Sequence, residues 1–245
     1  MGPNLKRNYF ISVVIPAYNE SCRITRTLDL IYAYFTDHLW QFEIIVVDDG
    51  STDNTKNVLE TIQNRLPLIK YFSYPSANHG KGHAVRKGIE AAAGEIILIS
   101  DADLSTPIEE IEKLLVYFDQ GYDLIIGSRG LKNSDIRVRQ PLFRVAMGKM
   151  FNRIVRLMIL EDFRDTQCGF KLFSGTCARK LFKQATIDRF AFDVEILFLA
   201  KRQGYKIKEV PIIWLNSPES KVHPVKDSLQ MLTDIIRLYL RTLRA

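Results

Sequence analysis

The chain has 245 residues, of which 47% are hydrophobic and 25% charged, and a net charge of +6. That is apolar enough for a folded core and too evenly mixed for a disordered chain. Three cysteines, Cys22, Cys168 and Cys177, form no CxxC pair, which excludes a disulfide framework or thiolate zinc site and fits a reducing compartment.

The first element is "FISVVIPAYNE", a short β-rich run stopped by Pro16. "SCRITRTLDLIYAYFTD" follows with apolar residues at helical spacing. "FEIIVVDDG" is a buried strand ending in Asp48 and Asp49, and "STDNTKNVLETIQNRL" a helix with Ser51 or Asp53 at its start. "LIKYFSYP" reads as a strand, "GKGHAVRKGIEAAAG" as a loop and helix closed by Gly94, and "EIILISDAD" as a strand. "PIEEIEKLLVYFDQG" is a helix with Pro in its first turn and Gly121 at its end, and "YDLIIGSR" one more strand. Beyond residue 130 the alternation lapses. "RQPLFRVAMGKMFNRIVRLMIL" reads as a long helix, "DTQCGFKLFSG" as a loop and strand, "FAFDVEILFLAKRQG" as a helix and "YKIKEVPIIWL" as a strand. The tail "HPVKDSLQMLTDIIRLYLRTLRA" is an amphipathic helix.

Continuous apolar strands alternating with helices over 11–129 predict an α/β fold, a mostly parallel Rossmann-like sheet covered on both faces, with amphipathic helices at the C-terminal end. In such sheets ligands bind at the carboxyl ends of the strands. Those ends carry Ala17-Tyr18-Asn19-Glu20, Asp48-Asp49, Asp101-Ala102-Asp103 and Ser128-Arg129. No repeat and no Pro-, Gly- or Ser-rich linker divides the chain, so one domain over 1–245 is expected.

Asp101 and Asp103 follow an apolar run of the kind that ends inside a protein. Residues two apart on a strand face the same way, ~6–7 Å apart. A slight turn at the strand end lets both carboxylates address one hard cation, Mg²⁺ or Mn²⁺, which prefers oxygen and often completes its shell from substrate phosphates. The plainer alternative has Asp103 capping the next helix and Asp101 solvated. Asp48 and Asp49 suit a base N–H or ribose hydroxyl, or alternatively the helix start beside them. "GKGHAVRKG", with Lys81, is a possible phosphate cradle, but Val85 breaks the GxGxxG fingerprint and no Walker A motif is present. Dehydrogenase and P-loop readings are therefore excluded, and His79 and His83 lack ligand spacing. The basic stretch 137–156 mixes Arg and Lys with Met147, Met150, Phe151, Met158 and Leu160, which suits a membrane interface better than a plain surface. It carries no nucleic-acid-binding motif.

"VVIPAYNE", "VVDDGSTDNT", "ISDADLSTP" and "GSR" together resemble the inverting family-2 glycosyltransferases of the GT-A fold. "RDTQCGFKLF", "FAFDVEILFLAKRQGYKIKEVPIIW" and "SKVHP" resemble the polyprenyl-phosphate branch: most closely the dolichyl-phosphate β-glucosyltransferases, more loosely the dolichyl-phosphate mannose synthases. The similarity runs over about residues 10–240. It implies a nucleotide-sugar half at 10–129 and an acceptor half at 130–245. Pro16, Ala17, Tyr18, Glu20, Asp48, Asp49 and Lys81 would serve the nucleotide sugar, and Asp101, Ala102 and Asp103 the donor and its metal. Arg129 and Arg144 would address the two phosphate groups, and Lys221 the leaving diphosphate. The mannose synthases place a Gln as further metal ligand where this chain has Ser105. The implied reaction is transfer of glucose from UDP-glucose to a polyprenyl phosphate with inversion. A mannose synthase using GDP-mannose, another sugar nucleotide, or a non-catalytic sugar-nucleotide-binding subunit are the alternatives.

The start "MGPNLKRNYFISVV" lacks a signal peptide's apolar region, and no run approaches the ~20 apolar residues of a spanning helix. A cytoplasmic protein, peripheral at the cytosolic face of a membrane, is expected, with the 140–160 helix and the 224–244 tail lying at the surface beside the pocket.

Overall fold

A computed structural model describes residues 9–74, 78–138, 142–216 and 226–242. Seven strands form one sheet: β1 (Phe10–Ala17), β2 (Gln41–Asp48), β3 (Ile69–Ser73), β4 (Ile96–Ile99), β5 (Leu124–Ser128), β7 (Lys171–Ser174) and β8 (Ile207–Pro211), in the order β3-β2-β1-β4-β7-β5-β8. β6 (Asp135–Val138) and β9 (Ile213–Leu215) make a separate parallel pair. The helices are α1 (Ile24–Asp37), α2 (Thr55–Arg65), α3 (Lys81–Ala91), α4 (Ile111–Phe118), α5 (Leu142–Met158), α6 (Gly175–Gln184), α7 (Phe192–Arg202) and α8 (Lys226–Thr242).

Strands buried on both faces explain the unbroken apolar runs. Val14, Ile45, Val47, Ile97, Ile99 and Ile126 pack on one face with residues of α3, α6 and α7. Val13, Ile15, Ile44, Val46, Leu98 and Ile125 pack on the other with residues of α1, α2 and α4. Each fully buried Val, Leu or Ile contributes roughly 1.5–3 kcal/mol.

β1 does not stop at Pro16 but runs to Ala17. Val14 faces β4, its carbonyl accepting from Ser100 N, while Ala17 faces β2, its carbonyl accepting from Asp49 N. By alternation Pro16 faces the β4 side, beyond the last β1–β4 pair at Val14–Ile99. Its missing N–H falls where no ladder bond is due.

Six of the seven strands run in one direction, but β7 runs antiparallel to both of its neighbours, β4 and β5. This has a functional consequence. An antiparallel strand brings its amino end to the edge where parallel strands end. Lys171, the first residue of β7, pairs with Ile99 and Ile126, so the segment 165–170 before it arrives at the carboxyl edge of the sheet. β6 and α6 are elements that the sequence reading leaves out. β6 is four exposed residues with no apolar face of its own beyond Ile136 and Val138.

Candidate active site

The loops after β1 and β2 are tied into one rim. Asn19, in a left-handed conformation at φ 56°, accepts from Thr52 N at 2.8 Å and Asp53 N at 3.2 Å, and its own N–H goes to Ser51 Oγ. Glu20 N donates to Thr55 Oγ1 at 2.8 Å, and the Glu20 carboxylate pairs with Arg23. Asp53 rather than Ser51 serves the start of α2, accepting from Thr55 N at 2.9 Å.

Asp48 and Asp49 divide their tasks. Asp48 is 1% exposed and accepts from Ser51 N and Ser73 Oγ, away from the cleft lining. Asp49 reaches the cleft and accepts from His79 N at 3.1 Å and Gly80 N at 2.6 Å. Burial pushes its carboxyl above the usual range, against those two N–H bonds.

The glycines of "GKG" have a packing reason. Gly80 sits at φ +118°, and a Cβ there would meet Asp188 O at 2.5 Å; one on Gly82 would meet Ile187 O at 2.5 Å. They let α3 begin against the 187–192 segment. Gly80 and Lys81 both line the cleft.

Asp101 and Asp103 stand beyond β4, not on it. Leu104 N closes a turn onto Asp101 O at 3.1 Å, with Leu104 at φ 49°. Thr27 Oγ1 pins the Ala102 carbonyl at 2.7 Å. The turn, not strand alternation, therefore brings both carboxylates into the cleft. Asp103 also accepts from Ser105 N at 2.9 Å. Burial and the neighbouring Asp101 charge push the Asp103 carboxyl up. Burial pushes Asp101 up too, yet the Lys81 ammonium at 2.6 Å, with Lys171 and Arg129 further off, holds it below the usual carboxylate range.

The segment delivered by β7 adds residues that the sequence reading did not assign. Asp165 accepts from Arg129 Nε at 2.7 Å, Nη2 at 2.9 Å and the Arg129 backbone N at 2.9 Å. This fork counters burial and holds the Asp165 carboxyl at about 2. Trp214 on β9 lies under the guanidinium at 5.5 Å. Glu209 accepts from Ser128 Oγ at 2.6 Å and Asp165 N at 2.7 Å, fixing the same corner. Lys171, 1% exposed, donates to Asp193 Oδ1 at 2.5 Å and to the Cys168 carbonyl. Burying an ammonium group without such partners is costly. The signal for these residues was present as charges inside apolar motifs, "DTQCGFKLF" and "FAFDVEILF", but which charge met which depended on the antiparallel strand.

One cleft of about 1970 Å³ brings together Pro16, Ala17, Tyr18, Glu20, Asp49, Lys81, Asp101, Ala102, Asp103 and Arg129, with Asp165 and Asp193 behind them. Its far wall includes Met147, Phe151, Arg153, Arg156 and Leu157 of α5, and Met231 of α8. Arg144 falls within α5, but its side chain, like the whole of Lys221, lies outside the described residues. The two helices are not merely superficial. Phe151 and Val155 of α5, and Met231 and Ile235 of α8, are buried in the core. Opposite them Phe143, Met150 and Leu157, and Leu229, Ile236 and Leu240, are exposed. Among the described residues no helix is long and apolar enough to cross a membrane.

The donor set fits a hard divalent cation. Two carboxylates share one turn, and burial together with the Asp101 charge raises Asp103, a cost that a cation would relieve. No third acidic, His or Cys side chain joins them among the described residues. A cation here would draw the rest of its shell from substrate or water.

The fold is that of the GT-A glycosyltransferases. The solved mannosyltransferase from Pyrobaculum calidifontis, in complex with GDP-Man and Mn²⁺, superposes with a TM-score of 0.65 at 21% identity, covering 96% of this chain and 65% of its own. Glucosyl-3-phosphoglycerate synthase from Mycobacterium tuberculosis, in complex with UDP, does so with a TM-score of 0.65 at 20% identity, covering 94% and 80%. Residues 12–185 match the model of Glycosyl transferase family 2. Relatives named dolichyl-phosphate beta-glucosyltransferase are 35% identical in Dictyostelium discoideum (96% of this chain, 76% of the relative) and 33% identical in Homo sapiens (95% and 76%). The chain belongs to glycosyltransferase family 2.

Proposed function

We propose that the chain transfers glucose from UDP-glucose to a polyprenyl phosphate of the dolichyl type, inverting the anomeric centre to give the β-linked product. The observation that carries this reading is the joining, in one cleft, of a carboxylate pair with Arg129 and a basic, apolar helix wall. The first suits a metal-bound diphosphate, and the second a phosphate with a hydrocarbon tail. Near-full-length similarity to relatives named for this activity adds to it.

The phosphate acceptor is largely ionised at neutral pH, so its oxygen needs no strong base. That oxygen forms a bond to the anomeric carbon as the bond from that carbon to the donor's diphosphate breaks on the opposite face. Asp101 and Asp103 would hold the Mg²⁺ or Mn²⁺, which spreads the charge of the leaving diphosphate. The turn fixes where those carboxylates stand. Tyr18, Glu20, Asp49 and Lys81 flank the nucleotide side. Asp48 would act from behind by holding the loop after β2. Arg129, aimed by Asp165 and Trp214, offsets the repulsion between two approaching anions. Arg144 and Lys221 are assigned the same duty from the sequence resemblance. In this reading 1–245 act as one domain, peripheral at the cytosolic face of a membrane, with the exposed apolar residues of α5 and α8 entering the interface beside Arg153 and Arg156.

Incubation with a panel of radiolabelled sugar nucleotides and dolichyl or undecaprenyl phosphate tests this. Labelled lipid from UDP-glucose is expected. Exclusive use of GDP-mannose would overturn the donor, and nucleotide binding without transfer to any acceptor would leave a non-catalytic subunit.

A further inference from the structure

We infer that Lys81 holds the cation's place on Asp101 while the donor is absent, which makes metal binding depend on the donor. This builds on the metal-dependent donor reading above and adds a coupling to it.

The carboxyl edge holds a compact charge cluster. Lys81 Nζ sits 2.6 Å from Asp101 Oδ1, with Asp103 in the same turn. Lys171 is paired with Asp193, which also lines the cleft. Three carboxylates and two ammonium groups leave one net negative charge. A divalent cation arriving alone reverses that sign and must share Asp101 with an ammonium already in contact with it. A cation arriving with a doubly negative diphosphate leaves the cluster charge unchanged. It also offers the ammonium a phosphate oxygen to move to. Cation and diphosphate therefore assist one another, reciprocally.

Two neighbouring cations at this edge are held elsewhere. Lys171 is 1% exposed and bonded to Asp193 and the Cys168 carbonyl. Arg129 is forked onto Asp165. Among the described residues, Lys81 forms an ion pair with the candidate metal ligand Asp101, and its side chain, 20% exposed, reaches the open cleft. Its place as first residue of α3, against the 187–192 segment, fixes the stem while the amine at the end of four methylenes can swing.

The test is a Mn²⁺ titration of the full chain, with free Mn²⁺ read by electron paramagnetic resonance, with and without UDP. Wild type should bind Mn²⁺ at least tenfold tighter with UDP than without. Lys81→Met should bind nucleotide-free Mn²⁺ at least fivefold tighter than wild type, and UDP should add less. Lys81→Arg, which keeps a cation in place, should stay near wild type. If Lys81→Met unfolds, as judged by its melting curve, Lys81→Gln takes its place. Nucleotide-free Mn²⁺ binding no tighter in the neutral variants than in wild type would overturn the inference. So would binding that survives Asp101→Asn, since the cation would then sit elsewhere. If GDP rather than UDP enhances binding in wild type, the uridine reading fails, and the nucleotide-free comparison still decides the role of Lys81.

Discussion

The two walls of the cleft are held by different means. On the wall formed by the ends of β1, β2 and β4, acidic groups are fixed largely by backbone N–H donors: Asp48 by Ser51, Asp49 by His79 and Gly80, Asp103 by Ser105. On the wall formed by β6, β9, α5 and the segment before β7, the fixing is by side-chain charge, as in the fork of Asp165 on Arg129. Backbone anchoring survives side-chain substitution, and ion-pair anchoring does not. Changes on the first wall should therefore remove chemistry and spare the fold, while changes on the second disturb both.

The sharpest test of the first wall is the acid pair. Asp103→Asn should lower transfer by about a hundredfold or more, since it removes a charge from the metal and diphosphate site. Chelator should abolish transfer, with Mg²⁺ or Mn²⁺ restoring it. Full activity in excess chelator would return both acids to a capping role.

Asp165→Asn tests the second wall. It should cut transfer about tenfold or more and cost roughly 2–3 kcal/mol of stability, leaving the part-buried Arg129 charge poorly matched. The sign with pH is set by a carboxyl held at about 2 against an ordinary 3.8. Its contribution is complete above about pH 4 and fades as pH falls toward 2. Urea denaturation of both proteins across that window checks this; equal pH slopes would contradict it.

Charge reversal at Arg153 and Arg156 should weaken binding to anionic vesicles more than tenfold, at about 1 kcal/mol per cation, with UDP binding little changed. Sedimentation of the variant should match wild type, because both arginines are exposed while Phe151 and Val155 carry the packing of α5. Wild type that ignores anionic vesicles would remove the membrane role.

Gly169→Ala asks how closely the walls meet. A Cβ there would lie 2.1 Å from Asp101 Oδ2. The carboxylate can swing away, so activity should fall several-fold and Mn²⁺ binding weaken, with the melting temperature nearly kept. Unaltered metal binding would show that Asp101 has room to spare.

The smallest effect is on stability within the acid pair. The folded state raises the Asp103 carboxyl through burial and Asp101, so stability falls as pH rises from the ordinary carboxylate range through the raised value. Asp103→Asn should remove that fall and gain roughly 1–3 °C in melting temperature at neutral pH. Asp101→Asn should not share the gain, because it strips Lys81 of its partner.

Legibility followed the same division. Over 11–129 the period of the apolar residues marked five strands and their helices, and the carboxyl-edge rule pointed to Tyr18, Glu20, Asp49, Asp101 and Asp103 before any contact was known. Those features are local: a buried strand needs apolar residues throughout, and its end needs a turn. Within them some roles still depended on geometry, since Asp48 and Asp49 are adjacent and chemically identical, yet only Asp49 reaches the cleft.

What the sequence determined by itself was the α/β class, the family motifs and the acids at the strand ends, because each depends on spacing within one short segment. The tertiary structure alone decided that β7 enters antiparallel between β4 and β5. That reversal sets Lys171 opposite Ile99 and Ile126 and carries Asp165 to Arg129, 36 residues earlier in the chain. It also decided that Lys81 meets Asp101, and that α5 buries Phe151 while exposing Leu157. Such pairings join charges and faces whose partners are far apart in sequence, and periodicity within a segment contains nothing about which distant segment will pack against it.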